Sequence, residues 1–202
     1  MYIWFYVSLI GFIGIVFPYF LSLEHLRLEN RYGKLKGRKI GEIYGLFSGW
    51  FFFLFWFGIW LSPQDRFILP FFQDYYLQIP VLSLTVYLIN ILIFVPFFLF
   101  GSWFGIKGVI ATSMKVAETH RADKIVTTGV YSVVRHPQYL GGLLAHIGFS
   151  FFLSALYSFL ATPLVIVVIY IICWKEESEL SKEFGKDYVD YEEKVPMLIP
   201  KL

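Results

Sequence analysis

Two short groups of polar residues in the C-terminal part of this sequence have side chains that could do chemistry. The first is Arg135-His136-Pro137-Gln138-Tyr139, in which a guanidinium, an imidazole and a phenol surround one proline. Proline fits the first turn of a helix, so His136 is predicted to lie at a helix N-terminus, beside unpaired N–H groups and the positive end of the dipole. With the fixed cation of Arg135, this end is predicted to bind an anion such as a carboxylate or phosphate.

The second group is the acidic pair Glu176-Glu177, which lies beyond a long apolar run. If that run folds as a helical hairpin, the two groups lie at its two feet and converge on one pocket. Such a pocket suits a ligand with both an anionic and a cationic part, such as an amino acid moiety, with Arg135 and His136 as the predicted catalytic residues. Two simpler interpretations stay open: Arg135 as an interfacial anchor, and the acidic pair as a solvated face.

The elements that must position these residues are membrane helices. The 202 residues are 57% hydrophobic and only 16% charged, whereas a soluble domain is about a quarter charged. The apolar residues form runs of about 20, the length that crosses a bilayer. We predict one all-α domain over residues 1–202, a polytopic membrane protein with about five transmembrane helices, a C-terminal helical hairpin and a cytosolic amphipathic tail helix. The predicted spans are 1–23, 43–62, 79–106, 137–156 and 160–174, with Thr162-Pro163 as the start signal of the last.

The basic residues predict the orientation of these spans. Five spans place every lysine and arginine except Arg66 on one side, which the positive-inside rule makes the cytoplasm. The N-terminus is then outside, and segments 107–136 and 175–202 are cytosolic. Apolar and aromatic residues at helical spacing in the tail predict its amphipathic helix; they are Leu180, Phe184, Tyr188 and Tyr191. The basic residues are interpreted as facing anionic lipid rather than nucleic acid.

The remaining candidate ligands and nucleophiles carry no recognisable signature. Cys173 is the only cysteine and lies in an apolar run, so neither a disulfide nor a metal site is predicted. His25 and His146 are interpreted as structural, hydrogen-bonded histidines.

The stretch KIVTTGVYSVVRHPQYLG, followed by EESELSKEFGKDYVDYEEKVP, resembles the isoprenylcysteine carboxyl methyltransferase family. More broadly it is similar to the membrane methyltransferases that include phospholipid methyltransferases, over about residues 123–202. The resemblance implies S-adenosyl-L-methionine in a cytosolic pocket at the hairpin feet and a lipid or lipidated substrate that enters from the bilayer. The cofactor-binding residues it implies are Lys124, Ile125, Val126, Tyr131, His136, Pro137, Gln138, Tyr139, Glu176 and Glu177.

Two positions depart from that family. Asp123 stands where the family has a histidine, and His120 is a candidate to replace it. Ile172 stands where the carboxyl methyltransferases have an arginine that meets the substrate carboxylate, which weakens the prediction of a prenylcysteine carboxylate as substrate. A phospholipid N-methyltransferase is therefore a close alternative, in which His136 or a glutamate takes the proton of the amine. A membrane sterol-type reductase that uses NADPH shares the R-H-P-x-Y signature, and a non-catalytic lipid-binding scaffold is the third alternative.

Overall fold

A computed structural model describes residues 2–80, 84–120 and 124–201 of the chain. The described residues form nine α-helices, one short 3-10 helix and a two-stranded antiparallel sheet. The helices are α1 (Ile3–Gly14), α2 (Val16–Leu23), α3 (His25–Tyr32), α4 (Lys34–Leu61), α5 (Leu88–Thr112), α6 (Met114–Thr119), α7 (Pro137–Phe152), α8 (Leu156–Phe184) and α9 (Lys186–Lys194). The 3-10 helix is Gly129–Ser132, and the strands are β1 (Tyr76–Ile79) and β2 (Leu84–Tyr87).

Four helical segments in the described part of the chain are long and apolar enough to cross a bilayer, and the all-α polytopic class is confirmed. They are Ile3–Leu23, in which α1 and α2 join at Ile15, then α4, α5 and α8. The fifth predicted span corresponds to α7, which has only 16 residues and is shorter than a full crossing needs. It packs along α5 where two glycines meet: a Cβ added to Gly101 would lie 2.9 Å from the Gly141 carbonyl oxygen. Small residues of this kind let membrane helices approach closely.

The predicted span 79–106 is wrong at its start and its end. Residues 76–79 and 84–87 pair as an antiparallel hairpin, in which Tyr76 faces Tyr87, and α5 begins only at Leu88. Aromatic and β-branched residues favour this extended pairing, which the apolar composition alone did not reveal. The predicted loop 107–136 is also partly helical, because α5 continues to Thr112 and α6 follows Ser113, whose φ is +86°.

The last span begins earlier than Thr162-Pro163 predicted. Helix α8 starts at Leu156 and contains Pro163 in its third turn. Its first N–H groups are satisfied by a distant loop: Leu156 N–H donates to the Asp65 carbonyl at 3.0 Å, and Ser158 N–H donates to Gln64 Oε1 at 2.8 Å. This non-local cap, rather than the local proline, sets where the helix begins. The predicted hairpin itself is present, since only residues 153–155 separate α7 from α8.

The predicted tail helix forms in two parts. Helix α8 extends past Glu176-Glu177 to Phe184, Gly185 turns the chain with φ +57°, and α9 then runs to Lys194. Glycine adopts this left-handed conformation without steric cost. We call the end of the bundle that carries α3 and the α8–α9 junction the basic end; Arg121 and Asp123 lie outside the described residues.

Candidate functional site

The two feet of the α7–α8 hairpin meet at the basic end, as the sequence predicted. The Arg135 guanidinium donates to both oxygens of Glu177, from Nε at 2.7 Å and from Nη2 at 2.8 Å. His136 Nε2 lies 2.9 Å from Glu177 Oε1, and His136 Nδ1 lies 3.4 Å from Glu176 Oε2. The basic and acidic groups therefore pair directly with each other, and Arg135, His136 and Glu176 also line one cavity.

Arg135 differs from the predicted anion site, because its donors are already engaged by the chain itself. Its Nη1 group donates to the carbonyls of Glu192, at 2.8 Å, and Val195. Its own backbone N–H donates to the Pro196 carbonyl at 2.9 Å, and the next N–H, of His136, donates to the Met197 carbonyl. The side chain is 7% exposed. The geometry favours a positioning role, in which Arg135 holds the tail across the feet of the hairpin.

His136 is the link between the two carboxylates. Burial alone lowers the pKa of His136, but the Cys173 sulfur and the carboxylates of Glu176 and Glu177 outweigh that effect and raise it well above its ordinary value. A protonated imidazole donates from both nitrogens and has no lone pair with which to accept a proton. The arrangement therefore favours His136 as a fixed cation, rather than as one of the two bases, His136 or a glutamate, that the amine alternative offered.

Glu176 is the centre of a polar cluster, which we define as Tyr19, His136, Tyr139 and Glu176. The Tyr19 and Tyr139 hydroxyls both donate to Glu176 Oε1, at 2.7 and 2.5 Å, and they also contact each other. Tyr19 comes from α2 and was missed by sequence reasoning. The sequence around Tyr19 shows only a tyrosine hydroxyl near the end of an apolar run. Its hydrogen-bond partners are more than a hundred residues away in the chain, so no local pattern indicates them.

A cavity of about 360 Å³ lies beside the polar cluster. Most of the predicted cofactor-binding residues line it: Lys124, Ile125, Val126, Tyr131, His136, Gln138, Tyr139 and Glu176. Gln138 links two parts of this lining, because its Nε2 group donates to the Tyr131 hydroxyl at 3.1 Å and to Thr112 Oγ1 at 3.0 Å. Burial raises the pKa of Tyr131, which keeps this phenol neutral. Of the other predicted residues, Pro137 is fully buried at the start of α7 and Glu177 lies behind His136.

Another part of the cavity lining is apolar and comes from α4; we call Leu46, Trp50, Phe53 and Trp56 the apolar wall. Trp50 is 67% exposed and Phe53 is 50% exposed, so this wall continues onto the outer, apolar surface of the helix. The cavity thus joins a polar cluster at the basic end to a surface suited to hydrocarbon.

The histidines interpreted as structural do make hydrogen bonds within the fold. His25 Nε2 lies 2.9 Å from the His120 carbonyl oxygen. His146 Nδ1 accepts from two indole N–H groups, those of Trp56 at 3.1 Å and Trp60 at 2.5 Å. Cys173 is buried with a free thiol. Among the residues that the structure describes, no group of three or more His, Cys, Asp or Glu side chains could hold a metal ion.

A comparison with protein-family models identifies the family. The model described as phospholipid methyltransferase matches residues 85–187, about half of the chain and the whole of the α7–α8 hairpin. The chain belongs to this family. The match confirms the resemblance to membrane methyltransferases that the RHPQY motif and the acidic pair indicated.

Curated relatives are similar over the same C-terminal region. A "Protein-S-isoprenylcysteine O-methyltransferase B" of Arabidopsis thaliana is 32% identical over 85 residues, which are 38% of this chain and 40% of that protein. A "Protein-S-isoprenylcysteine O-methyltransferase" of Saccharomyces cerevisiae is 36% identical over 38% of this chain and 32% of its own length. A "Methanethiol S-methyltransferase 2" of Bradyrhizobium diazoefficiens is 37% identical over 36% of this chain and 27% of its own. The chain spans less than half the length of these relatives. No solved structure matches it.

Proposed function

We propose that this chain, as one domain over residues 1–202, transfers a methyl group from S-adenosyl-L-methionine to a lipid or lipidated acceptor at the cytosolic membrane face. One observation carries the proposal: the polar cluster around Glu176 and the apolar wall of α4 line the same cavity. Membership of the phospholipid methyltransferase family supports it, as do relatives named O- and S-methyltransferases.

The residues of the cavity fit the proposed cofactor. The volume of about 360 Å³ falls in the range of about 300–1,000 Å³ that small-molecule sites occupy. The Glu176 carboxylate suits the ammonium of the methionine part, and Lys124 supplies a cation for its carboxylate. The rings of Tyr131 and Tyr139 offer aromatic faces to a sulfonium. When bound, the cofactor supplies an electrophilic methyl group.

The chain itself mainly positions the reactants and excludes water. Arg135 fixes the tail, so that α9 contributes Tyr188 and Tyr191 to the lining, and the Tyr191 hydroxyl donates to the Tyr131 carbonyl at 2.6 Å. Alignment of this kind supplies up to about 7–11 kcal/mol in favourable cases. An arrangement with few catalytic groups is therefore sufficient for methyl transfer.

The apolar wall supports an acceptor with a hydrocarbon chain that enters from the bilayer. The chemical group that is methylated is less constrained. Ile172, which replaces the arginine expected for a carboxylate substrate, is fully buried in the core and does not face the cavity. The amine of a phospholipid therefore remains a proposed acceptor beside a prenylcysteine. We also propose that the basic end faces the cytosol and the N-terminus lies outside, on the distribution of lysine and arginine.

Calorimetry on the purified protein in detergent tests this proposal. S-adenosylhomocysteine, the product of the methyl donor, is expected to bind, and NADPH is expected not to bind. Binding of NADPH without S-adenosylhomocysteine would favour the sterol-type reductase. Binding of neither would favour a lipid-binding scaffold without catalysis. Either result would overturn the proposal.

A further inference from the structure

His120 is a cavity residue that several contacts hold in place. Its backbone is left-handed, with φ 54° and ψ 26°, because it caps the C-terminus of α6, and histidine is enriched in this conformation among residues other than glycine. Its ring packs on Tyr19, with ring centroids 4.0 Å apart and planes inclined by 30°. Its carbonyl accepts a hydrogen bond from His25 Nε2 at 2.9 Å. These contacts fix the position of the ring in the cavity lining.

Ser22 determines which nitrogen of His120 carries the proton. The Ser22 hydroxyl donates to the Tyr19 carbonyl at 2.6 Å, and its oxygen lies 2.7 Å from His120 Nδ1. A hydroxyl has a single hydrogen to donate. With that hydrogen on the Tyr19 carbonyl, His120 Nδ1–H donates to Ser22 and Nε2 keeps its lone pair.

The nitrogen that carries this lone pair lies beside Gly49 of α4, another residue of the cavity lining. His120 lines the cavity, and a Cβ added to Gly49 of α4 would lie 3.7 Å from His120 Nε2. Tyr19 links His120 to Glu176, because its ring packs against the His120 ring and its hydroxyl donates to the Glu176 carboxylate. Within the described ranges, His120 makes its hydrogen bonds through Nδ1 and its carbonyl. The nitrogen therefore lies where a polar cofactor and an apolar acceptor would meet.

The surroundings keep this ring unprotonated at neutral pH. Burial lowers the pKa of His120 to about 4, Glu176 on α8 opposes that shift, and His25 on α3 adds to it. The neutral His120 ring thus contrasts with the cationic ring of His136, whose two nitrogens both face carboxylates.

We propose that His120 Nε2 is the base that takes the proton from a thiol acceptor that carries an apolar chain. This inference rests on the function proposed above. The lone pair of the acceptor sulfur forms the new bond to the methyl carbon, and the electron pair of the broken sulfur–carbon bond returns to the cofactor sulfur. The proton on the acceptor sulfur passes to His120 Nε2 and then to solvent.

A weak base is sufficient for this step because the sulfur of a thiol becomes strongly acidic as its bond to carbon forms. An ionised carboxylate has no proton to lose, so a base at His120 contributes nothing to its methylation. General bases typically accelerate such reactions by about 10²–10⁴-fold. The proposed role therefore separates thiol acceptors from carboxylate acceptors.

The test compares His120→Asn with the wild-type protein in nanodiscs, since asparagine also tolerates the left-handed conformation. The acceptors are dodecanethiol and N-acetyl-S-dodecylcysteine, and S-adenosylhomocysteine binding is measured beside them to show that the site is intact. We expect kcat for the thiol to fall about 10²–10⁴-fold, with recovery on adding imidazole. We expect S-adenosylhomocysteine affinity, and any rate with the carboxylate, to change less than about threefold.

Four results would overturn the role of His120: an unchanged rate with the thiol, an equal loss with both acceptors, loss of S-adenosylhomocysteine affinity in the variant, or a wild-type protein that methylates only the carboxylate. If the wild-type protein methylates only the thiol, imidazole recovery alone decides, and its absence counts against the proposal. Failure of wild-type protein to bind S-adenosylhomocysteine would instead overturn the proposed function.

Discussion

Replacing Glu177 with alanine is expected to lower the free energy of unfolding by about 3–5 kcal/mol, the typical cost of breaking a buried ion pair from one side. The Glu177 side chain is 5% exposed and accepts three hydrogen bonds, two from Arg135 and one from His136. Each hydrogen bond to a charged group contributes about 1.5–3 kcal/mol. The three together exceed the expected loss of stability, because water that enters the space left by the side chain would replace some of these hydrogen bonds. The variant leaves two buried cations without their main partner.

The assay is unfolding by SDS or urea in mixed micelles, followed by tryptophan fluorescence. Glu193→Ala is the matched control, since Glu193 is an exposed carboxylate on α9 and should change stability by less than about 0.5 kcal/mol. Limited trypsin digestion is a second readout, because Arg135 holds the tail through the Glu192 and Val195 carbonyls. Faster cleavage after Lys194 is expected in the Glu177 variant. Equal stability of the two variants would refute the structural role of this ion pair.

Three further outcomes are expected. Glu176→Gln should weaken S-adenosylhomocysteine binding about 10–100-fold by calorimetry, the value of one charged hydrogen bond; unchanged affinity would remove Glu176 from the site. His146→Leu should lower the free energy of unfolding by roughly 1–3 kcal/mol, because the indole N–H groups of Trp56 and Trp60 lose their acceptor; a neutral effect in urea unfolding would contradict this. The folded pKa of His120 is about 4 against an ordinary 6.5, so its stabilising contribution is complete above pH 6.5 and is lost as the pH falls toward 4, by up to about 3 kcal/mol. Unfolding of wild-type and His120→Asn protein between pH 7 and 4 should therefore converge, and parallel curves would refute it.

The sequence was sufficient for the parts of the site that are encoded locally. Pro137 starts α7 as its fixed φ predicts, and Glu176-Glu177 meets Arg135-His136 because a short hairpin must return the chain to the same end. The apolar runs likewise predicted the helical class. Local signals were reliable wherever neighbouring residues decided the structure.

The errors came from contacts between distant parts of the chain. Helix α8 begins at Leu156 because Asp65 and Gln64 cap it from another loop. Tyr19 joins Glu176 across more than a hundred residues, which no short pattern reveals. The contacts of Arg135 escaped prediction for the same reason, since the distant tail supplies the carbonyls to which it donates.

Hydrogen exchange of the purified protein with and without S-adenosylhomocysteine tests most directly whether this cavity is the cofactor site. Slower exchange on binding is expected in residues 124–139 and 186–197, which contribute to the cavity lining, with no change in the loop 62–75 at the other end of the bundle. Protection that is absent from 124–139, or that appears in 62–75 instead, would contradict the assignment of this cavity as the cofactor site.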